Sequence, residues 1–182
     1  MVIRVTLTKE IFFEFNYYTG WKAPWNRRKR VIYYLKIILY SAAIVILFHL
    51  TSKMKLAWKP TIIGMVVLFI YFAVVVPIWI KHRYKNVTQK FFEDPKNANV
   101  FLPTFIEVND RGVKNKDSIS ETNYSWAAFV RKAIHKETIY LYLNNQQAIL
   151  IPESSFENKI QKKEFEKLIA EHLPLQAEFP DT

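Results

Sequence analysis

The chain has 182 residues, of which 51% are hydrophobic, and a formal net charge of +10. That charge is uneven, since residues 1–85 carry +12, much of it beside two apolar runs, whereas residues 86–182 carry −2. A nucleic-acid-binding domain would need its own basic face, so no nucleic-acid partner is expected. The absence of cysteine excludes disulfides, thiol catalysis and cysteine zinc sites.

The first residues alternate between apolar and polar side chains. Ile3, Val5 and Leu7 fall on one face, which is the pattern of a half-buried strand. Because one strand cannot bury its apolar face alone, we expect it to join a sheet formed later in the chain. An aromatic stripe follows at helical spacing. It fits two interpretations, a helix lying in the membrane interface or a helix packed against the soluble domain.

Two apolar runs, residues 31–50 and 61–80, are each long enough to cross a hydrocarbon core about 30 Å thick. Lys36 is the one charged residue in these runs, and it lies close enough to the end of its run to reach the interface. The first run starts late and lacks a small-residue cleavage motif, so we expect a membrane helix rather than a signal peptide. The short connection predicts that the two helices are antiparallel neighbours.

Basic residues beside the runs predict the orientation of this hairpin. Five Lys/Arg lie in residues 16–30 and four in residues 81–95, against three in the connection. Since positive flanks remain in the cytoplasm, the sequence predicts a multi-pass protein of the cytoplasmic membrane with both termini inside. The residues expected to set the orientation are Arg27, Arg28, Lys29, Arg30, Lys81, Arg83 and Lys85.

The second run is predicted to continue as a helix until Asp94-Pro95, with a polar linker at 96–99. Beyond it the hydrophobic period changes to two, which predicts short antiparallel strands. These are residues 104–108, 113–116, 118–124, 129–134, 138–143 and 148–151. The final segment reads as an amphipathic helix with Ser154 or Asn158 in a capping box and a buried stripe from Ile160 to Leu173, ended by Pro174.

These elements predict a membrane α-helical hairpin plus an α+β domain, a small curved antiparallel sheet or barrel capped by a C-terminal helix. The N-terminal strand, helix and basic linker occupy residues 1–30. Two transmembrane helices with a short extracytoplasmic loop occupy 31–80. A helical extension and linker (81–97), the soluble domain (98–174) and a tail (175–182) complete the chain.

No stretch of the sequence has the residue pattern of a catalytic or metal site. The four histidines lack metal-ligand spacing, no carboxylate pair stands out, and three glycines are too few for a phosphate-binding loop. We therefore expect no enzyme activity, metal or cofactor. His49 fits an interfacial histidine better than a proton relay, because neither apolar run contains a carboxylate partner.

One basic cluster in the soluble half is a candidate contact for anionic lipid headgroups or a protein partner. It comprises Arg131, Lys132, His135 and Lys136, at the end of a predicted strand. The alternative is an ordinary exposed strand and turn rich in charge. The nearby Trp126 is expected to belong to the core, given its apolar neighbours, rather than to grip a ligand.

The soluble half also carries a set of short motifs that include Gly112, Trp126, Pro152 and Phe156. The motifs are Ile106-Glu-Val-x-x-x-Gly112, Tyr124-Ser-Trp126-x-x-Phe129, Ile139-Tyr-Leu-Tyr, Ile149-Leu-Ile-Pro152-x-x-x-Phe156 and Phe165-x-x-Leu168-Ile169. Together with Leu7-Thr-x-Glu10 and Phe15-Asn16 before the hairpin, they resemble the YcxB-like family of small bacterial membrane proteins. Glu153 departs from the family pattern, in which a basic residue tends to follow the proline.

The resemblance implies two membrane helices and a cytoplasmic domain similar to the bacterial pleckstrin-homology-like (PH-like) fold, with the four motif residues in structural roles. It implies no reaction, ligand or catalytic residue. We therefore expect a non-enzymatic membrane protein that presents an interaction domain to a protein partner or lipid headgroups, in a regulatory or immunity role. The alternative is a small transport or channel subunit formed by self-association of the hairpin, and a homo-oligomer is compatible with the sequence.

Overall fold

The computed structural model describes residues 1–51 and 58–173, so most of the predicted extracytoplasmic loop, Pro174 and the tail lie outside the described residues. In chain order the elements are β1 (Val2–Val5), α1 (Lys9–Tyr17), α2 (Arg27–Thr51), α3 (Trp58–Glu93), β2 (Thr104–Asn109), β3 (Gly112–Lys116), β4 (Glu121–Ser125), β5 (Arg131–His135), β6 (Thr138–Tyr142), β7 (Ala148–Pro152) and α4 (Lys159–His172). The chain divides into two units. One contains Met1–Gly20 and the chain from Val87 onward, and the other contains Trp21–Asn86.

The first sheet contains β1, β2, β3 and β4 in that order, all antiparallel. Ile3 of β1 lies opposite Ile106 of β2, and both side chains are buried in the core. The Met1 ammonium group donates to the Val108 carbonyl oxygen over 2.9 Å, and the Val108 N–H donates back to Met1 over 2.8 Å. The prediction that the N-terminal strand joins the later sheet is confirmed.

The second sheet contains β5, β6 and β7, and its inner face shares one apolar core with the first sheet and α4. Phe165 and Ile169 of α4 are completely buried in this core, as their spacing of four residues predicts. Ile160 is 70% exposed, so the prediction that it begins the buried stripe is wrong. The step of five positions from Ile160 to Phe165 rotates the helix by about 500°, which leaves Ile160 roughly 140° away from the buried face.

Local side-chain hydrogen bonds decide two boundaries that periodicity alone does not. Asn158 caps α4, because its Oδ1 accepts from the backbone N–H groups of Ile160 and Gln161, each over 2.9 Å. The Asp117 carboxylate accepts from the N–H groups of Ile119 and Ser120 and forms a turn. This turn takes up residues predicted as strand, so β4 begins at Glu121.

Helix α1 packs on the outer face of the second sheet. The Phe15 ring lies 5.4 Å from that of Tyr140, and all five residues of β6 are buried because the core covers one face and α1 the other. Phe12 stacks at 4.9 Å on Phe91, which belongs to the last turns of α3. Of the two interpretations of the aromatic stripe, the structure selects packing against the domain.

Helices α2 and α3 contain the two apolar runs, and both are long and apolar enough to cross a membrane. His49 Nε2 lies 3.2 Å from Thr61 Oγ1, a polar contact between the two helices. α3 continues through Pro77 to Glu93, as predicted. The segment predicted as a polar linker is instead a 3-10 helix, Pro95–Phe101, capped by Asp94.

Candidate functional site

Strand β5 and the turn after it hold the four basic residues predicted to contact a lipid or a partner. Arg131 lies opposite Tyr142, whereas Lys132 lies opposite Leu141, a core residue on the other face of the sheet. Because successive side chains of a strand alternate, Arg131 and His135 face α1 and Lys132 faces away from it. The structure therefore gathers Arg131, His135 and Lys136 beside α1 and separates Lys132 from them.

Arg131 is a buried cation, only 6% exposed. Its guanidinium carbon lies 4.8 Å from the centre of the Tyr142 ring, a cation–π arrangement, and its Nη2 donates to Asn145 Oδ1 over 2.9 Å. Burial lowers the pKa of the Arg131 guanidinium, but arginine titrates so high that the group stays charged. Arg131 is thus engaged within the domain rather than displayed on its surface.

The tyrosines beside Arg131 act as hydrogen-bonding groups. Tyr142 shares a 2.7 Å hydrogen bond with the buried Thr19 hydroxyl, which follows α1. Burial raises the pKa of Tyr142 to about 12 and also raises that of Tyr140. Both hydroxyls therefore remain protonated at neutral pH, and neither has the properties of a general base.

Glu14 ties α1 to the turn after β5. One carboxylate oxygen lies 2.7 Å from Lys136 Nζ, and the other lies 3.5 Å from His135 Nε2. The His135 ring also stacks on Tyr18 at 4.2 Å. Burial by itself would raise the pKa of Glu14, but the hydrogen bonds and charges of Lys136 and His135 outweigh burial and hold this pKa below its ordinary value.

Replacing Glu14 with glutamine is expected to lower the free energy of unfolding by about 1 kcal/mol at neutral pH. Because the folded-state pKa is depressed, the stabilisation is complete above the ordinary pKa of 4.5 and is lost as the pH falls through the folded-state value. Denaturant unfolding of the full chain, followed by tryptophan fluorescence at neutral and acidic pH, measures both effects. Glu10→Gln on the same helix is the matched control, and an equal loss in both variants would contradict the role given to Glu14.

Two of the family-motif residues lie where strands begin or end. Gly112 opens β3 with φ near +150°, against the backbone of Tyr124 in β4. Pro152 closes β7 and lies opposite Thr138, at the edge of the second sheet. An edge position suits proline, which has no N–H to donate to a further strand.

The other two motif residues pack against the core and α4. Trp126 Nε1 donates to the Asn109 carbonyl oxygen over 3.0 Å, and its ring stacks at 4.8 Å on His172 in the last turn of α4. The Phe156 ring lies 5.2 Å from that of Phe165. These contacts hold β-sheet and helix together, which is a structural role.

In the other unit, the basic residues predicted to set the orientation flank the apolar runs, at the start of α2 and within α3 after its apolar part. The exposed ones are Arg27, Arg28, Lys29, Lys81, Arg83 and Lys85. Arg30 differs, because its Nη1 donates to the carbonyl oxygens of Trp21 and Ala23 and so fixes the turn before α2. The Arg83 guanidinium lies 5.8 Å from the Trp79 ring. Their effect on orientation stays a prediction.

The acceptors and aromatic partners of the basic cluster have no direct signal in the sequence. Glu14, Tyr18 and Thr19 are about 120 residues away from it in the chain, and only the helical spacing of Phe15 and Tyr18 pointed to a packed face. Among the residues that the structure describes, no group of three or more His, Cys, Asp or Glu side chains could hold a metal ion.

The comparisons with known proteins bear on the segment that contains this cluster. The family model described as YcxB-like protein matches residues 108–169, from the end of β2 into α4. This segment is a YcxB-like domain. The match includes Gly112, Trp126, Pro152 and Phe156, and it confirms the family resemblance over this part of the chain. No curated protein and no solved structure matches the chain. β1 and α1 lie outside the matched YcxB-like segment, although they complete its first sheet and cover its second.

Proposed function

We propose that this chain is an inner-membrane protein that presents a PH-like interaction domain to a protein partner at the cytoplasmic face. The observation that carries the proposal is the pairing of β1 with β2. These strands precede and follow the two apolar helices, so the chain leaves its sheet, passes through both helices and returns to the same sheet. Because one sheet cannot lie on both sides of a bilayer, this pairing supports a spanning hairpin whose two ends lie on the same side.

Burial and charge support the membrane assignment. Almost none of the residues in the two apolar helices are buried by protein, and a long apolar helix exposed in this way needs lipid around it. The nine Lys/Arg on the outer flanks, against three in the connection, favour the cytoplasm as the side that holds the domain.

The architecture of the domain supports the PH-like assignment. Antiparallel sheets of four and three strands share one core, and a C-terminal helix closes it. This is the arrangement that the family resemblance implies. The apolar helices are inserted between the first and second strands of this domain.

The burial and ion pairing of the basic cluster favour a protein partner over lipid headgroups. Arg131 is buried, and Lys136, whose side chain is 59% exposed, pairs with Glu14, as does the half-buried His135. Headgroup binding needs several cations displayed together, whereas here one cation is buried and the other two basic side chains share a carboxylate within the domain. The polar groups of this cluster also suit binding better than catalysis. Its basic side chains are paired with Glu14 or buried, and its tyrosines are neutral.

Single-cysteine labelling in intact cells tests the orientation, since the chain contains no cysteine of its own. A membrane-impermeant maleimide should label Met54→Cys from outside and Ser120→Cys only after lysis. External labelling of Ser120→Cys would overturn the proposed topology. Photo-crosslinking from the domain in the same cells should give adducts with a protein; adducts with lipid alone would favour headgroup binding.

These experiments need the full chain. A fragment starting at residue 97 would lack β1 and α1, which provide an edge of the first sheet and the cover of the second. Loss of binding by such a fragment would therefore report misfolding as readily as a missing contact.

A further inference from the structure

Strand β5 has a free edge and an apolar face that the domain leaves partly open. It borders the second sheet and pairs with β6 alone among the described strands. Ile134 lies opposite the buried Ile139, so its side chain is on the core side of the sheet, yet it is 57% exposed. Val130, which immediately precedes β5, is 47% exposed, and its N–H donates to the Tyr142 carbonyl oxygen over 2.8 Å.

A pocket lies beside the exposed end of this face. Its lining combines the apolar Ile134, Ile139 and Phe156 with six polar or charged residues, Lys136, Glu137, Thr138, Glu153, Lys162 and Glu166. Isolated apolar side chains on a protein surface are ordinary. Here the apolar side chains line a pocket next to an unpaired strand edge, and a further strand added at that edge would direct alternate side chains into it.

Lys132 supplies a charge on the same face as Ile134, since the two side chains lie opposite the core residues Leu141 and Ile139. It is half-buried, and no carboxylate of the described residues forms an ion pair with it. Its basic neighbours differ, since Lys162 pairs with Glu153 over 2.9 Å and Lys136 pairs with Glu14. A strand lying beside β5 would therefore bind most tightly if it placed an acidic residue opposite Lys132.

We infer that β5 binds an extended segment of the partner protein, which adds a fourth strand to the second sheet. The segment carries the pattern apolar-x-acidic-x-apolar, so that its same-face residues meet Val130, Lys132 and Ile134. The inference rests on the proposed function, because it identifies the surface through which the domain would meet its partner. The backbone hydrogen bonds of the added strand provide affinity, and the three facing side chains provide specificity.

A second copy of the chain is a poorer occupant. β4, the exposed far edge of the first sheet, reads Glu-Thr-Asn-Tyr-Ser from Glu121 to Ser125. One of its faces carries Glu121, Asn123 and Ser125, and the one aromatic residue of the other face, Tyr124, already packs against the core of its own domain, so β4 has no spare apolar residue to meet Val130 or Ile134. A lipid headgroup would leave the backbone edge of β5 unpaired.

Peptide binding to the full chain in lipid nanodiscs tests the inference. The probe is fluorescein-labelled Thr-Val-Thr-Glu-Thr-Val-Thr, and its matched control has Lys in place of Glu. Fluorescence anisotropy should show that the Glu peptide binds at least about fivefold more tightly than the Lys peptide. Lys132→Glu should reverse this preference, whereas Lys167→Glu, an equal charge change at an exposed position of α4, should leave it unchanged.

Strand addition has a further signature in the backbone of the probe. Methylating the amide nitrogens of the Val and Glu residues, or instead those of the Thr residues, blocks one alternating set of N–H groups at a time. Methylation of one set must abolish binding and methylation of the other must not, because only one set of N–H groups faces β5. Ile134→Asn, a change at an exposed side chain, should also weaken binding of the Glu peptide.

Three results would overturn the inference: no anisotropy change at millimolar peptide, a preference that Lys132→Glu does not alter, or equal binding of both methylated sets. None of them would remove the proposed function, which depends on cysteine labelling and crosslinking in cells. A partner crosslinked at a surface remote from β5 would keep the proposed function and reject this site.

Discussion

Replacing Gly112 with alanine is expected to destabilise the domain by about 3 kcal/mol or more. A Cβ atom at this position would overlap the carbonyl oxygen of Tyr124 and lie 2.9 Å from its carbonyl carbon. The obstacle is backbone, so no change of rotamer can relieve it. In addition, the φ of +150° is a conformation that residues with a side chain rarely adopt. Relief would require β3 and β4 to separate where Gly112 faces Ser125.

Gly64→Ala is the matched control for this substitution. Gly64 lies within α3, and apart from its chain neighbours and the adjacent backbone of its own helix, no atom of the described residues lies within 4 Å of the position that its Cβ would take. Denaturant unfolding of the full chain in detergent, followed by tryptophan fluorescence, should show a large loss of stability for Gly112→Ala and none for Gly64→Ala. Wild-type stability in Gly112→Ala would mean that β3 and β4 do not approach as closely as described.

Replacing Ile3 with lysine is expected to cost about 3 kcal/mol, because it removes a buried apolar side chain and places a charge in the core. Ile3 is 1% exposed and faces Ile106 across the strand pair. The adjacent Val2 is 56% exposed and faces Glu107, so Val2→Lys should change stability by less than about 0.5 kcal/mol. The two variants carry the same new charge on neighbouring residues of one strand.

Hydrogen exchange of the full chain distinguishes the expected outcomes. In Ile3→Lys, the backbone amides of β2 that pair with β1 should lose protection from exchange, and the unfolding midpoint should fall. In Val2→Lys, both the protection and the midpoint should stay as in the wild type. Equal effects of the two substitutions would contradict the register in which Ile3 faces the core.

Short-range patterns accounted for much of this fold. Period-two alternation indicated β1 and located the later strands, and the apolar runs located α2 and α3. The positions that were missed depend on single side chains. The turn at Asp117 shortens β4 because its carboxylate accepts hydrogen bonds from two backbone N–H groups. Ile160 is exposed because its position around the helix differs from that of the buried Phe165.

The candidate site was less accessible from the sequence. Alternation along β5 separates Lys132 from Arg131, but it does not say which face is covered. The cover is α1, whose aromatic stripe suits a sheet and a membrane interface equally well, since both are apolar. Only the tertiary contacts of Phe15, and the ion pairs of Glu14, decide that α1 lies on the second sheet.

The pairing of β1 with β2 also has a consequence for biosynthesis. Met1 and Val108, which exchange two hydrogen bonds, are 107 residues apart in the chain. The first strand therefore leaves the ribosome long before its partner exists, and both apolar helices are translated in the interval. Closing so distant a contact is slow, and unpaired edges are prone to aggregate until it forms. In the proposed topology, closing the first sheet therefore requires both ends of the hairpin on one side of the membrane, and a chain in which only one of the two helices has inserted is left with an open sheet.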